Sequence, residues 1–500
     1  MARSRTFPLS YARTHVPFIT LLVLLASVFL MGGGSRDDIT SLIVLRPIAV
    51  ICLGIGLYTL TKKQWREFKL PLGFMAAIIG LIALHLIPLP PALWQAIPGR
   101  ELAIAAGEAA GGLQPWRELS LVPYRGWNAL YAMLVPAAAM VLAVQINRED
   151  HRKLIYVLIA AAVASALWGM VQAIGGFNRA LYLYDVTNSN SPTGFFANRN
   201  HMAAMQVCVL PLLVLLASRA KGPSKRLVQT ACAAIAVLAV MISAATGSRA
   251  GMALALVALA ASWIIWTARP APPEVRRNRR DKRQPWVPYA FGAFGVAMLA
   301  GFAILLTQSQ SFTRISSSGN VEEFRFVVWE TMVEFLPQYM PLGSGVGSFV
   351  EVFQVHEPSS MLGTSYWNHA HNDWLEWALE GGVPALILMG LAIIAFIRAA
   401  LGLIGRRSSG RLEVQLWLAG AVMLFVLGLW SGVDYPLRVP ALACVAALAS
   451  VWMVFPRSDH ALGHSGTAHT GQSAGKPAFM PSEGSFETRP KKTLEGSRVK

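Results

Sequence analysis

Residues 368–404 read NHAHNDWLEWALEGGVPALILMGLAIIAFIRAALGLI. The stretch from Asn368 to Gly382 holds His369, His371, Asn372, Asp373, Glu376 and Glu380, in a chain only 14% charged. From Gly382 to Ile404 it is apolar apart from Arg398, long enough as a helix to cross a hydrocarbon layer of about 30 Å. The sequence therefore predicts a polar helix at a membrane surface followed by a span. Asn368 is a suitable helix cap, Asp373 sits where the helix dipole favours an anion, and Gly381-Gly382 ahead of Pro384 ends the polar helix. Spacing puts His371, Leu375 and Leu379 on one face, with Trp367, Trp374 and Trp377 as apolar anchors. In that first turn His371 is expected to face the positive helix end as a neutral proton acceptor.

Working outward, runs of span length recur along a chain that is 54% hydrophobic over 500 residues. They cover roughly 16–33, 41–60, 70–88, 126–145, 154–175, 201–218, 227–245, 250–268, 287–307, 382–404, 412–431 and 437–455. The expected fold class is an all-α membrane protein of about 12 transmembrane helices. The expected organisation is a cytoplasmic N-terminus (1–15), helices one to nine (16–307), a large loop (308–381), three last helices (382–455) and a disordered cytoplasmic tail rich in Gly, Ser, Pro, His and Lys (456–500). The first run lacks a small-residue cleavage site and begins the series of spans. Cys52, Cys208, Cys232 and Cys444 fall inside apolar runs without paired spacing, so neither a disulfide framework nor a cysteine zinc site is expected.

The net charge of +17 suggests nucleic acid until its distribution is followed. With the N-terminus inside, the cytoplasmic segments and tail carry 31 of the 43 Lys and Arg, against 10 in the opposite loops. That is the positive-inside bias, and the run RRNRRDKR at 276–283 reads as a cytoplasmic loop beside anionic lipid. Both termini are then cytoplasmic and loop 308–381 faces outward.

That loop is the natural seat of chemistry. Against its nine acidic residues stand only Arg314 and Arg325. Phe324, Val328, Met332 and Phe335 recur at helical spacing, with Arg325 and Trp329 on the adjoining stripe. Pro337 and Pro341 stop this helix, and LGSGVGSF at 342–349 forms a bend whose amides could meet a ligand or simply return the chain to the bundle. Three other outward segments matter. Gly194, Phe196, Asn198 and Asn200 put two amides at the mouth of the sixth span, fit either to cap the helix or to bond sugar hydroxyls. The tight turn Thr246 to Gly251 keeps Arg249 at the membrane surface, for headgroup contact or for phosphate. The turn Val433 to Arg438 adds Asp434 and Arg438 beside the same region. Arg46, inside the second span, must snorkel, pair with Asp37 or Asp38, or face a wet cavity.

These pieces resemble the O-antigen ligase and polymerase superfamily of bacterial membrane glycosyltransferases. The resemblance runs from the fifth span onward. It rests on the GxFxNxN-like stretch at 194–200, Ser248-Arg249, Arg325 to Trp329 with Pro341 to Gly345 and Phe349, and His369 to Asn372 with Leu375 and Gly382. It implies a GT-C-type bundle in the bacterial inner membrane. It also implies transfer of a glycan from undecaprenyl diphosphate to a lipid-, glycan- or protein-bound acceptor at the periplasmic face, as in polysaccharide and lipopolysaccharide biosynthesis, with no metal or other cofactor. His371 matches the catalytic histidine and Arg249 and Arg325 the diphosphate-binding arginines, with Asn198, Asn200, His369, Asn372 and Trp329 as further substrate-binding positions. Where the family motif often continues to a small or aromatic residue three places after its glycine, this chain has Ala385.

Two other classes compete. A metallohydrolase could use His369 and His371 with Asp373 and Glu376, but residues at i and i+2 on a helix point apart, and no HExxH is present. A transporter or flippase of lipid-linked or small substrates would place charge at the membrane midplane, where only Arg46, near an edge, is a candidate.

Overall fold

The computed structural model describes residues 9–112, 114–268, 319–363, 366–402 and 411–454, with side chains described from residue 15 at the N-terminus and from 324 after the second gap. The expected span 287–307, the basic run 276–283, Arg314, residues 1–8 and the tail 456–500 lie outside them. The chain is an all-α, multi-span membrane protein whose described residues are 74% helical with almost no strand. Among the described residues eight helices are long and apolar enough to cross a membrane, and three shorter apolar helices accompany them. Together these coincide with eleven of the twelve apolar runs.

In chain order the elements are α1 (Leu9–Met31), α2 (Leu42–Thr59), α3 (Lys62–Glu67), α4 (Lys69–His85), α5 (Pro91–Trp94), α6 (Glu101–Ala109), α7 (Pro123–Ala132), α8 (Leu134–Ala143) and α9 (Arg148–Ile174). There follow α10 (Arg199–Arg219), α11 (Lys225–Ala245), α12 (Arg249–Thr267), α13 (Gly319–Phe335), α14 (Phe349–His356), α15 (Asp373–Leu401), α16 (Leu412–Trp430) and α17 (Pro440–Trp452). Two residues on each side, Pro88–Leu89 and Arg117–Glu118, pair antiparallel and close the α5–α6 loop.

α10 is the axis of the bundle. It is apolar on most faces beyond its first turn, and it is buried from His201 to Leu213 against α9, α11, α12 and α16. α15 shows the opposite pattern beyond Gly382: Leu386, Ile387, Ile394 and Ile397 are exposed, as side chains meeting lipid tails would be. The end of the bundle away from His371 is held by Arg148–Glu413 and Lys153–Asp150 ion pairs and by Arg219 donating to Gln415.

The segment from α13 to the start of α15 has its own small core. Val328, Met332, Phe335, Tyr339, Phe349, Val352, Phe353, Ala370 and Leu379 bury one another and seat the loop on the first turns of α15. Three of the four residues of the expected α13 stripe are buried, while Phe324 is exposed.

α15 is broken at Gly382, whose φ of 58° and ψ of −149° are closed to side-chain-bearing residues. The glycine-rich bend fills the break. Ser344 and Gly345 donate their N–H groups to the carbonyls of Leu379 and Glu380 at 3.0 and 2.9 Å, and Val383 donates to Pro341 at 2.8 Å. A backbone interrupted inside a membrane must have its polar groups satisfied by protein, and here the bend does it. The approach is close enough that a Cβ on Gly343 would lie 2.4 Å from the Glu380 carbonyl oxygen. Of the two uses expected for this bend, the amides of Ser344 and Gly345 serve the helix end, and that of Val346 serves His85 Nδ1.

Candidate active site

The segments around Asn198–Asn200, Arg325 and His369–His371 meet at one end of the bundle, around the α16–α17 turn. Its centre is Asp434, 1% exposed. His371 Nδ1 lies 2.9 Å from Asp434 Oδ1, Tyr435 donates its backbone N–H to the same oxygen at 3.1 Å, and Asn200 Nδ2 donates to Oδ2 at 2.6 Å. Burial alone would push the Asp434 carboxyl up, but the neighbouring His371, His201 and Arg325 outweigh it and hold the group well below the usual carboxylate range. An ionised carboxylate only accepts hydrogen bonds. The hydrogen of the pair therefore sits on His371 Nδ1, and Nε2 is turned away from Asp434, with no protein partner among the described residues.

His371 itself is not in the helix, contrary to the spacing argument. Its φ is +53°, Asn372 is the N-cap whose Oδ1 accepts from Leu375 N at 3.1 Å, and the helix begins at Asp373. Asn368 does not cap it. The cause is tertiary: Asp373 N donates to the Ser431 carbonyl at 2.7 Å, which ties the helix start to the α16–α17 turn and turns the chain just before it. The imidazole is thus governed by Asp434 and not by a helix end.

A second cluster lies beside the first. Arg438 bonds Asp373 at 3.4 Å, Glu376 at 3.2 Å and Glu380 at 3.0 Å, three buried carboxylates on successive turns of α15. Burial works against the guanidinium's charge, yet the carboxylates of Glu376, Glu380 and Asp373 prevail and hold it protonated far into the alkaline range. Glu376 also takes His369 Nδ1 at 2.9 Å and the Ala370 N–H at 2.8 Å. The two histidines therefore have separate carboxylate partners. Among the described residues no group of three or more His, Cys, Asp or Glu side chains converges as a metal site.

The other expected residues fall as follows. Asn198 caps α10 by accepting from Asn200 N at 2.8 Å, the ordinary reading, and its Nδ2 donates to the Tyr435 hydroxyl at 3.3 Å. Trp329 donates its indole N–H to the Ala370 carbonyl at 2.7 Å and so fixes the His369–His371 strand. Arg325 reaches the Val433 carbonyl at 3.4 Å. Its Nε is buried without a partner, and among the described residues it makes no ion pair. Arg249 opens α12, exposed, where the neighbouring Gly247 faces Arg199 and Gly251 packs on Ala203 of the first α10 turn. It thereby shares the site's end of the bundle, on the side of α10 and not on the α16–α17 turn. Arg46 bonds Asn128 and lies over Tyr131, so its partner is an amide and not Asp37 or Asp38. Sequence reasoning underrated Asp434, Tyr435 and Arg438. The signal for them was an acid and a base in a six-residue turn between two spans.

Fold and site define a multi-span membrane protein with a histidine–carboxylate pair and cationic charge gathered at one end of its bundle. Residues 234–390, about a third of the chain, match the family model described as O-antigen ligase, and this similarity supports a relation to the O-antigen ligase superfamily. No curated protein matches the chain.

Proposed function

We propose that the protein is an inner-membrane glycosyltransferase that moves a glycan from undecaprenyl diphosphate to an acceptor hydroxyl at the periplasmic face, as a ligase or polymerase. The observation that carries this reading is the His371–Asp434 pair beside Arg325. His371 Nε2 takes the proton of the acceptor hydroxyl as its oxygen attacks the anomeric carbon of the donor sugar. The bond from that carbon to the diphosphate breaks, and the diphosphate leaves with the electron pair. Proton removal by a positioned base is worth about 10²–10⁴ in rate. Arg325, with Arg249 approaching from the same end, meets the charge developing on the diphosphate, and guanidinium forks suit phosphate oxygens. Asp434 holds the imidazole in the tautomer that leaves Nε2 able to accept.

The test is turnover of purified protein in vesicles containing an undecaprenyl-diphosphate-linked glycan, with lipid A core, glycan and protein acceptors supplied in turn. His371→Ala and Arg325→Ala are expected to lose at least about 10²-fold in transfer while inserting normally, with lipid-linked precursor accumulating in cells. Normal polysaccharide in either variant would refute the assignment. Turnover abolished by a chelator would favour the metallohydrolase reading instead.

A further inference from the structure

Three imidazoles surround one buried phenol ring. The Tyr435 ring lies 4.9 Å from His201 at an interplanar angle of 76°, 4.3 Å from His369 at 40°, and 4.8 Å from His371 at 66°. Its hydroxyl accepts from Asn198, and its backbone N–H donates to the Asp434 oxygen that also receives His371 Nδ1. Tyr435 thus touches Asn198, Asp434 and all three imidazoles, yet it is only 4% exposed and has little surface with which to meet a substrate.

The geometry gives it work that the hydrogen bonds leave undone. A single bond to Asp434 fixes one point of the His371 ring and leaves the ring free to turn about the Nδ1···Oδ1 line. His371 precedes the helix in a left-handed backbone conformation, so no helical neighbour restrains it. Its plane is set by two walls: Trp367, 5.8 Å away at 89°, and Tyr435. His201 also packs on the Tyr435 ring; it is 1% exposed, with neither ring nitrogen hydrogen-bonded among the described residues. A buried imidazole with both nitrogens unmet is destabilising in itself, which leaves its packing against the Tyr435 ring as the contact to account for it.

We propose that Tyr435, packed in place by His201, is a positioning residue that fixes the plane of the His371 imidazole so that Nε2 points at the acceptor hydroxyl. The inference rests on the glycan-transfer reading above. The phenol takes no proton itself, since burial, reinforced by the Asp434 charge, pushes its hydroxyl well above the ordinary tyrosine range.

The experiment compares Tyr435→Leu with Tyr435→Phe in the full-length protein in vesicles holding an undecaprenyl-diphosphate-linked glycan. Tyr435→Leu is expected to lower kcat roughly 100-fold with KM within about twofold, because misplacement of a reacting group by an ångström costs on that order. Tyr435→Phe, which keeps the wall and loses only the hydroxyl, is expected to restore most of that loss. Wild-type kcat in Tyr435→Leu, or equal impairment in both variants, would overturn the proposal. If Tyr435→Leu does not fold, His201→Ala removes that packing instead. It is expected to lower kcat with KM unchanged, and an unaltered kcat would overturn the proposal. Acylation of His371 by diethyl pyrocarbonate, followed by mass spectrometry, reports ring exposure without turnover. The rate is expected to change in Tyr435→Leu and to match wild type in Tyr435→Phe, and an unchanged rate in Tyr435→Leu would overturn the proposal. Should wild-type protein transfer no glycan, the functional reading fails, and the acylation rates still decide the inference.

Discussion

Replacing Asp434 with asparagine removes one charge and almost no volume, yet no orientation of the new amide satisfies its surroundings. Three donors converge on the carboxylate: His371 Nδ1 and Tyr435 N on Oδ1, and Asn200 Nδ2 on Oδ2. If the amide oxygen takes the Oδ1 position, its NH₂ faces the donor of Asn200, and only a flip of that side chain relieves the clash. If the NH₂ takes the Oδ1 position, it confronts the Tyr435 N–H and makes His371 Nδ1 an acceptor, so that Nε2 carries the hydrogen and has no lone pair to receive a proton. Either way the negative charge that stabilises the imidazolium is gone. The expected loss lies between the worth of a general base, about 10²-fold, and the roughly 10⁴-fold cost of the same carboxylate-to-amide change in a Ser-His-Asp triad. At about 1.36 kcal/mol per tenfold, that raises the barrier by about 2.7–5.4 kcal/mol. The assay is single-turnover transfer of labelled glycan from undecaprenyl diphosphate in vesicles, with thermal melting in detergent as the folding control. A well-folded Asp434→Asn protein with kcat within about threefold of wild type would refute the reasoning, because a general base cannot be worth so little.

Other expectations follow from the same geometry. Because the Asp434 carboxyl titrates below its ordinary value of 3.8, it contributes stability at any pH above that value and loses it as pH falls through the acid range. The melting-temperature gap between wild type and Asp434→Asn should therefore be widest above about pH 4 and narrow below it, and a gap that widens on acidification would contradict the sign. Arg438→Leu removes the guanidinium that Asp373, Glu376 and Glu380 share; breaking a buried ion pair costs about 3–5 kcal/mol, so the melting temperature should fall steeply, and an unchanged melt would count against the network. Gly382→Ala puts a Cβ 2.3 Å from the Pro341 carbonyl oxygen at a φ of 58°, and folded yield in membranes should drop sharply, with normal yield showing that the break in α15 can relax.

Much of the fold was legible because membrane spans announce themselves locally. A run of about 20 apolar residues needs no partner to be read, and eleven of the twelve runs coincide with helices, while the twelfth, 287–307, falls outside the described residues. Lipid also imposes order on the polar segments: with the spans placed, Asn198, Asn200, Arg249, Arg325, His369 and His371 had to share one side. The structure brings all of them to the same end of the bundle, with Arg249 at the start of α12 and the others around the α16–α17 turn.

What local pattern could not supply was pairing. Asn368 and Asn372 are both capping residues, and the choice between them was made by the Ser431 carbonyl drawing in Asp373 N, some 58 residues distant in sequence. LGSGVGSF reads as a loop under any local rule; that its amides complete a broken helix depends on where Leu379 and Glu380 lie in space. Asp434 read only as an acid in a turn beside the region, and that it would pair with His371 depends on where the bundle places them.

By itself, then, the sequence determined that this chain is an all-α membrane protein whose polar segments lie between apolar spans, because hydrophobic length acts over a few neighbouring residues. Only the tertiary structure decided that His371 leaves the helix, that Asp434 and not a helix dipole governs it, and that Arg438 gathers three carboxylates. Those outcomes arise from desolvated groups far apart in the chain that must find partners wherever the bundle places them.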